Sequence, residues 1–129
     1  MNESVILVLK NLQKDSSYVV QLYEELYKAK FLTLARPGSE KDLESMEFLT
    51  YPTADKISEL PIFTSKEFLI DFSSVQPLAI ELEGDKLWSK LLEIVETGNL
   101  EIAVDPGQNH GIRLTKEMIL GMISMYAKT

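Results

Sequence analysis

Polar side chains of different chemistry are concentrated in one short segment, DPGQNHGIR, at positions 105–113. A histidine beside a carboxylate can act as a general base, and this segment holds both Asp105 and His110. Yet Asp, Asn and Gly are also the residues that tight turns need for backbone reasons. A lone histidine with a neighbouring aspartate is not a catalytic triad. The sequence therefore favours a plain turn, and a small hydrolase that uses His110 is the alternative.

Metal and nucleotide sites have weaker support in the sequence. Glu81, Glu83 and Asp85 offer the hard oxygen ligands that a divalent cation prefers, but alternating acids are also usual on the solvent face of a strand. The chain contains no cysteine, which excludes disulfides and thiolate metal ligands. The segment GDKLWSK lacks the lysine and hydroxyl pattern of a phosphate-binding loop. We therefore expect no metal and no cofactor.

The charge of the chain indicates which class of partner it can meet. A net charge of -7 argues against nucleic acid, because binding to phosphates needs clustered Lys and Arg. The acids are spread along the chain, which is typical of an ordinary solvated surface, and the alternative is a surface suited to a basic protein partner. On this basis we expect a partner-binding surface formed by the strand acids and the polar segment, namely Glu81, Glu83, Asp105, Gln108, Asn109, His110 and Arg113.

Length and hydropathy indicate the general class of protein. With 129 residues, the chain has the size of one domain, and we expect a single domain over residues 1–129. No apolar stretch approaches the roughly 20 residues that cross a bilayer. The start, MNESVILVLKNLQ, has an acidic residue where a signal peptide carries basic ones. These features predict a cytoplasmic protein that does not bind membranes.

Hydrophobic periodicity predicts an α+β fold with an N-terminal helical pair, a mixed or largely antiparallel sheet of about five strands, and three further helices. Pro61 lies within a predicted strand, which favours an edge position or a bulge. The broadest apolar stripe belongs to the helix that contains Trp88, so we expect Trp88 in the core. The predicted helices cover 4–12, 17–28, a segment after residue 64, 85–99 and 115–129, and Thr115 is the predicted N-cap of the last one. The predicted strands cover 31–36, 46–52, 56–63, 75–84, 100–105 and 112–114.

The segment ELPIFTSKEFL, at positions 59–69, predicts a joint between a strand and a helix. With Thr64 as the N-cap, its hydroxyl accepts from the Glu67 N–H while the Glu67 carboxylate accepts from the Thr64 N–H, which is a capping box. In this register Phe63 and Phe68 flank the cap as a hydrophobic staple. The motif is therefore interpreted as structural.

Three motifs in this order resemble the N-terminal domain of the SseB family, the enhanced-serine-sensitivity proteins of bacteria. They are LYKAKFLTLARP, LPIFTSKE and EIAVDPGQNHGIRLTKEMIL, and the resemblance covers nearly the whole chain. Asp105 stands where the family usually has asparagine, and longer members carry a second C-terminal domain. The resemblance implies no agreed set of catalytic residues. We therefore expect a non-enzymatic, cytoplasmic protein-binding module, with an immunity-type antagonist of a basic partner as the alternative.

Overall fold

The computed structural model describes residues 3–12, 14–15, 17, 19–36, 46–53, 57–73, 79–98 and 100–126. Two helices precede the first two strands, the third and fourth helices flank the third strand, and the last two strands precede a final helix. The elements in chain order are α1 (Glu3–Leu12), α2 (Val19–Lys28), β1 (Lys30–Leu34), β2 (Ser58–Phe63), α3 (Lys66–Phe72), β3 (Ala79–Glu83), α4 (Gly84–Thr97), β4 (Leu100–Val104), β5 (Ile112–Leu114) and α5 (Lys116–Tyr126).

The strands form a mixed five-stranded sheet in the order β3-β1-β2-β4-β5. β1 runs antiparallel to both β3 and β2, β4 runs parallel to β2, and β5 is antiparallel to β4. The parallel pair is joined through α3, β3 and α4, a connection long enough for a crossover. The α+β fold predicted from the sequence, with its N-terminal helical pair and mixed sheet, is confirmed.

Hydrophobic side chains are buried on both faces of the sheet. One face packs against α1, α2, α4 and α5 and forms the main core. Trp88 is fully buried there, as predicted, and its indole N–H donates to the Leu26 carbonyl over 2.9 Å. The Phe31 ring meets Trp88 edge-on at 5.8 Å. The other face carries a smaller cluster of Leu34, Phe63 and Leu69, which α3 covers. The two helical layers therefore differ in size.

The segment 46–52, predicted as a strand, is not one. Its backbone pairs with the sheet at two isolated points, where Phe48 faces Ala35 and Tyr51 faces Glu59. Its apolar side chains are packed all the same, since Leu49 and Tyr51 lie against the smaller cluster under α3. The segment is extended and partly paired without a continuous ladder.

Pro61 does not lie at an edge of the sheet, contrary to the sequence-based expectation. It belongs to β2, which is between β1 and β4. Because proline has no N–H, it cannot complete the ladder toward β1, and only Leu32↔Phe63 and Thr33↔Ile62 are in register there. The Thr33 hydroxyl donates instead to the Pro61 carbonyl over 3.1 Å. A side-chain hydrogen bond thus makes an interior proline tolerable.

The capping box predicted at Thr64 and Glu67 is wrong by one residue. The N-cap of α3 is Ser65, which has extended backbone angles and whose hydroxyl accepts from the Phe68 N–H over 3.4 Å. Glu67 is exposed, and Phe63 is buried in a cluster with Leu69, against which Phe68 also packs. The reason is tertiary, because the Thr64 hydroxyl donates to a carboxylate that follows β4. The strand-to-helix joint itself is as predicted.

The last two helices begin and end near the predicted residues. Gly98 is the C-cap of α4, and its N–H donates to the Ile94 carbonyl over 3.0 Å. At α5 the Thr115 hydroxyl accepts from the Met118 N–H over 3.3 Å, which is the predicted N-cap. None of the helices among the described residues is long and apolar enough to cross a bilayer.

Candidate functional site

Asp105 follows the last residue of β4 and is fully buried. One carboxylate oxygen, Oδ1, accepts from the Thr64 N–H over 2.8 Å. The other, Oδ2, accepts from the Thr64 hydroxyl over 2.6 Å and lies 2.7 Å from Nε2 of His110. A buried carboxylate is stable only when such partners replace water. Asp105 therefore ties the segment after β4 to the end of β2.

The segment 105–111, called here the β4–β5 loop, has a tightly defined backbone. The Asp105 N–H donates to the Ile62 carbonyl over 2.9 Å, which extends the parallel ladder by one bond. Asp105 itself has a left-handed φ of 49°, a conformation that Asp and Asn adopt more readily than other non-glycine residues. A Cβ at Gly111 would lie 2.4 Å from the Asp105 carbonyl oxygen, so no larger residue fits at that position without a shift.

His110 is nearly buried, with 5% of its surface exposed. Its ring packs against Phe68 of α3 at a centroid distance of 5.0 Å. Because Nε2 is bound to Asp105 and the ring is held by Phe68, the side chain has a fixed orientation. The described contacts therefore connect the β4–β5 loop to α3 as well as to β2.

The arrangement around His110 differs from that of a hydrolytic dyad. In a serine or threonine nucleophile the hydroxyl donates to the histidine, which removes its proton. Here the Thr64 hydroxyl donates to Asp105, and the histidine nitrogen Nε2 contacts the same carboxylate. All three groups meet inside the protein. This geometry holds a loop, and it does not activate Thr64 as a nucleophile.

The β4–β5 loop separates two surface clefts. The first has a volume of about 240 Å³, and Gln108 and Arg113 line it together with Ala103 and Glu59. The second has a volume of about 310 Å³ and is lined by Lys10, Lys14, Asn109 and His110. Of the polar residues predicted from the sequence, Gln108 and Arg113 thus line one cleft, while Asn109 and His110 line the other.

Arg113 lies in an ionic cluster on the sheet surface beside the first cleft. Its Nε is 2.8 Å from the Glu59 carboxylate, and Nη1 is 3.6 Å from Glu101. Glu59 and Glu101 are cross-strand neighbours on β2 and β4, so the arginine lies where two like charges would otherwise meet. Gln108 is fixed from the other side, since its amide donates to the Asp71 carboxylate over 3.2 Å.

Glu81 and Glu83 lie far from the loop. Both are exposed on β3, at the edge of the sheet opposite β5. Two strands, β1 and β2, separate β3 from β4, which corresponds to about 14 Å. The expectation that these acids and Asp105 come from neighbouring strands is therefore wrong. Asp105 also differs from the expectation, because its charge is in the interior.

The sequence missed several residues of this region. Lys10 and Lys14 of the second cleft come from α1 and the turn after it, nearly a hundred positions before the loop. Thr64 was noticed for a different role, and Phe68 was assigned to a staple. No local spacing pattern could have linked these residues to His110, because the contacts arise from the packing of α1 and α3 around the loop.

Metal ligation has no geometric support in the described part of the chain, where no three His, Asp or Glu side chains are close enough to hold an ion. Glu81 and Glu83 are described, while the side chain of Asp85, the third residue considered for a cation site, is outside the described residues.

Comparison with known proteins agrees with the motifs. The family model described as the SseB protein N-terminal domain matches residues 7–120, which is most of the chain. The matched range extends from α1 into α5 and includes Thr64, Asp105 and His110. No curated protein and no solved structure matches the chain.

Proposed function

We propose that this chain, which belongs to the SseB N-terminal domain family, is a non-enzymatic protein-binding module. Resemblance to this family implies no agreed set of catalytic residues. The observation that carries the proposal is the buried Asp105, which holds the β4–β5 loop through Thr64 and His110. Because these buried hydrogen bonds already hold the loop in one conformation, it loses little conformational entropy when a partner binds. This preorganisation favours affinity.

Asn109 is the residue that this loop offers to a partner. Its side chain is exposed and lies at the rim of the second cleft. The neighbouring polar groups are engaged inside the molecule or, in the case of Gln108, by Asp71. We therefore assign Asn109 and the adjoining cleft to the contact surface.

An antagonist of a basic protein is the second candidate. It is favoured by Glu81 and Glu83, which alternate along β3 and are both exposed on the same side of an edge strand. This surface and the β4–β5 loop lie at opposite edges of the sheet. Substitutions can therefore separate the two candidates.

The experiment is affinity capture from the native cell, compared between the unmodified protein, Asn109→Tyr and a matched control, Ser89→Tyr. Both substitutions add a neutral bulky ring at an exposed polar residue, and Ser89 lies on α4, which begins at the β3 edge. We expect proteins that are captured by the unmodified chain and by Ser89→Tyr but lost with Asn109→Tyr.

Two results would contradict this proposal. Capture that is unchanged by Asn109→Tyr removes the loop from the contact surface. Turnover of ester or amide substrates by the purified protein, lost in a His110→Ala variant that remains folded by circular dichroism, would assign a hydrolase instead.

A further inference from the structure

The outward face of α1 carries an apolar surface beside the second cleft. Leu7 is 60% exposed, more than any other large hydrophobic residue among those described. With Ile6, Glu3 and Lys10 it lines a shallow cleft of about 370 Å³. Lys10 is shared between this cleft and the one at the β4–β5 loop. The two clefts therefore form one continuous surface, called here the α1 surface.

Lys10 and Lys14 give one end of the α1 surface a positive charge. Several described cations lie beside acids, as Arg113 does with Glu59 and Lys28 does with Glu24. For Lys10 and Lys14 the structure records no ion pair with any described residue, and both point into the cleft that Asn109 and His110 close. An acidic group placed there meets two ammonium groups and the Asn109 amide without displacing an existing partner.

The charged residues of the α1 surface lie at its two ends, the acid at one end and the lysines at the other. Glu3 lies at the end of the apolar cleft that is farther from the lysines. Leu7 and Lys10 are about 4.5 Å apart along the helix axis. In an extended peptide, side chains two residues apart lie on the same face of the backbone, about 7 Å from each other. A carboxylate and an apolar side chain at this spacing can therefore reach the lysines and Leu7 together.

We infer that the α1 surface binds a short extended segment of a partner protein in which an acidic residue stands two positions from a large apolar residue. The acidic group contacts Lys10, Lys14 and Asn109, and the apolar group covers Leu7. This inference rests on the proposed function and adds the chemistry of the partner. Loss of water from Leu7 and the pairing of both lysines provide the binding free energy.

The test uses a fluorescein-labelled peptide that repeats Glu-Glu-Leu-Leu, in which a glutamate and a leucine two positions apart share one face of the extended chain. Binding is followed by fluorescence anisotropy at about 0.15 M salt. The unmodified protein is expected to bind it. Lys10→Ala with Lys14→Ala lowers the affinity about tenfold, since two exposed pairs are lost. Leu7→Ala lowers it about fivefold.

The matched control is Lys66→Ala with Lys116→Ala. These two lysines are exposed, no ion pair is recorded for them among the described residues, and their loss changes the net charge by the same amount. We expect less than a twofold effect. A peptide that repeats Lys-Lys-Leu-Leu serves as the second control and is expected not to bind.

If the two double lysine variants weaken peptide binding equally, the peptide responds to net charge alone and the inference is overturned. The absence of peptide binding to the unmodified protein overturns it as well. Binding of inorganic phosphate without binding of the peptide overturns it too. If a native partner is captured equally by the protein and by the Lys10→Ala, Lys14→Ala variant but is lost with Asn109→Tyr, the inference fails while the proposed function stands.

Discussion

Asp105 concentrates more structural interactions than any neighbouring residue of the loop. Its carboxylate joins the end of β2 to the β4–β5 loop, and its backbone N–H continues the bond pattern between β2 and β4. The position demands a side chain that accepts hydrogen bonds and tolerates a left-handed φ. Aspartate and asparagine are the residues that meet both demands, which is consistent with asparagine as the usual residue of the family.

The first prediction compares Asp105→Asn with Asp105→Ala. The asparagine amide can accept from the Thr64 N–H and donate to the Thr64 hydroxyl and to His110, so we expect a loss of about 1 kcal/mol in the free energy of unfolding. Alanine leaves the buried Thr64 N–H without an acceptor, and we expect a loss of about 3 kcal/mol. Urea denaturation measures both. Asp71→Ala, an exposed control, should change stability by less than about 0.5 kcal/mol, and equal losses in the two Asp105 variants would contradict the assignment.

The second prediction concerns Tyr51, whose pKa is raised by burial. Its ring meets Phe72 edge-on at 5.1 Å. A folded-state pKa above the unfolded value means that this contribution to stability is complete below about pH 10 and is lost as the pH rises toward the folded pKa. Between pH 9 and 11 the unmodified protein should therefore lose more stability than Tyr51→Phe. Thermal unfolding measures this stability at each pH. An equal loss of stability in both proteins would contradict the expectation.

At the scale of elements, α3 is held at both ends by its surroundings. It is seven residues long, too short to be stable by itself, and it depends on the smaller apolar cluster beneath it. Phe63 and Phe72 are in contact across this cluster at 5.6 Å. The helix also provides Phe68, which supports His110. Packing of α3 therefore contributes to the geometry of the loop.

The third prediction separates the cap of α3 from the link to Asp105. Ser65→Ala removes a long cap bond, and we expect a loss of about 0.5 kcal/mol. Thr64→Val keeps the shape but removes the hydroxyl that donates to Asp105, and we expect a loss of about 1.5 kcal/mol. Glu67→Ala should have almost no effect, since this side chain is exposed. Urea denaturation measures all three. Equal destabilisation by Glu67→Ala and Thr64→Val would contradict this assignment and support the capping box predicted from the sequence.

At the scale of the whole molecule, charge acts over two distances. The net charge of -7 sets the long-range field and favours encounter with a positively charged protein. The lysines of the α1 surface act at contact range and select the segment that binds. Long-range fields mainly change association rates, whereas contacts mainly change dissociation rates.

The fourth prediction applies this distinction to the partner obtained by capture. If that partner is basic, the association rate should fall as ionic strength rises past about 0.15 M, where the screening length is roughly 8 Å. Glu81→Gln with Glu83→Gln should lower the association rate more than the charge-matched pair Glu93→Gln with Glu96→Gln on α4. An association rate indifferent to salt and to both pairs would exclude electrostatic steering.

Much of the fold follows from local patterns in the sequence. The stripe of α4 that buries Trp88, the cap at Thr115 and the alternation of β1 all depend on neighbours within a few residues, and they were predicted correctly. The motifs that resemble the SseB family are local as well. Periodicity and capping therefore determine the elements and the fold class.

The tertiary structure decided which elements are neighbours, and the candidate site depends on that. Thr64 donates to Asp105 from 41 positions away, and this contact moved the α3 cap to Ser65. The order of strands separated Glu81 from the loop, and the packing of α1 brought Lys10 to His110. Hydrogen bonds and charge pairs form between groups that are close in space, whereas a sequence pattern reports only groups that are close along the chain. The elements were therefore accessible from the sequence, and the surface they build was not.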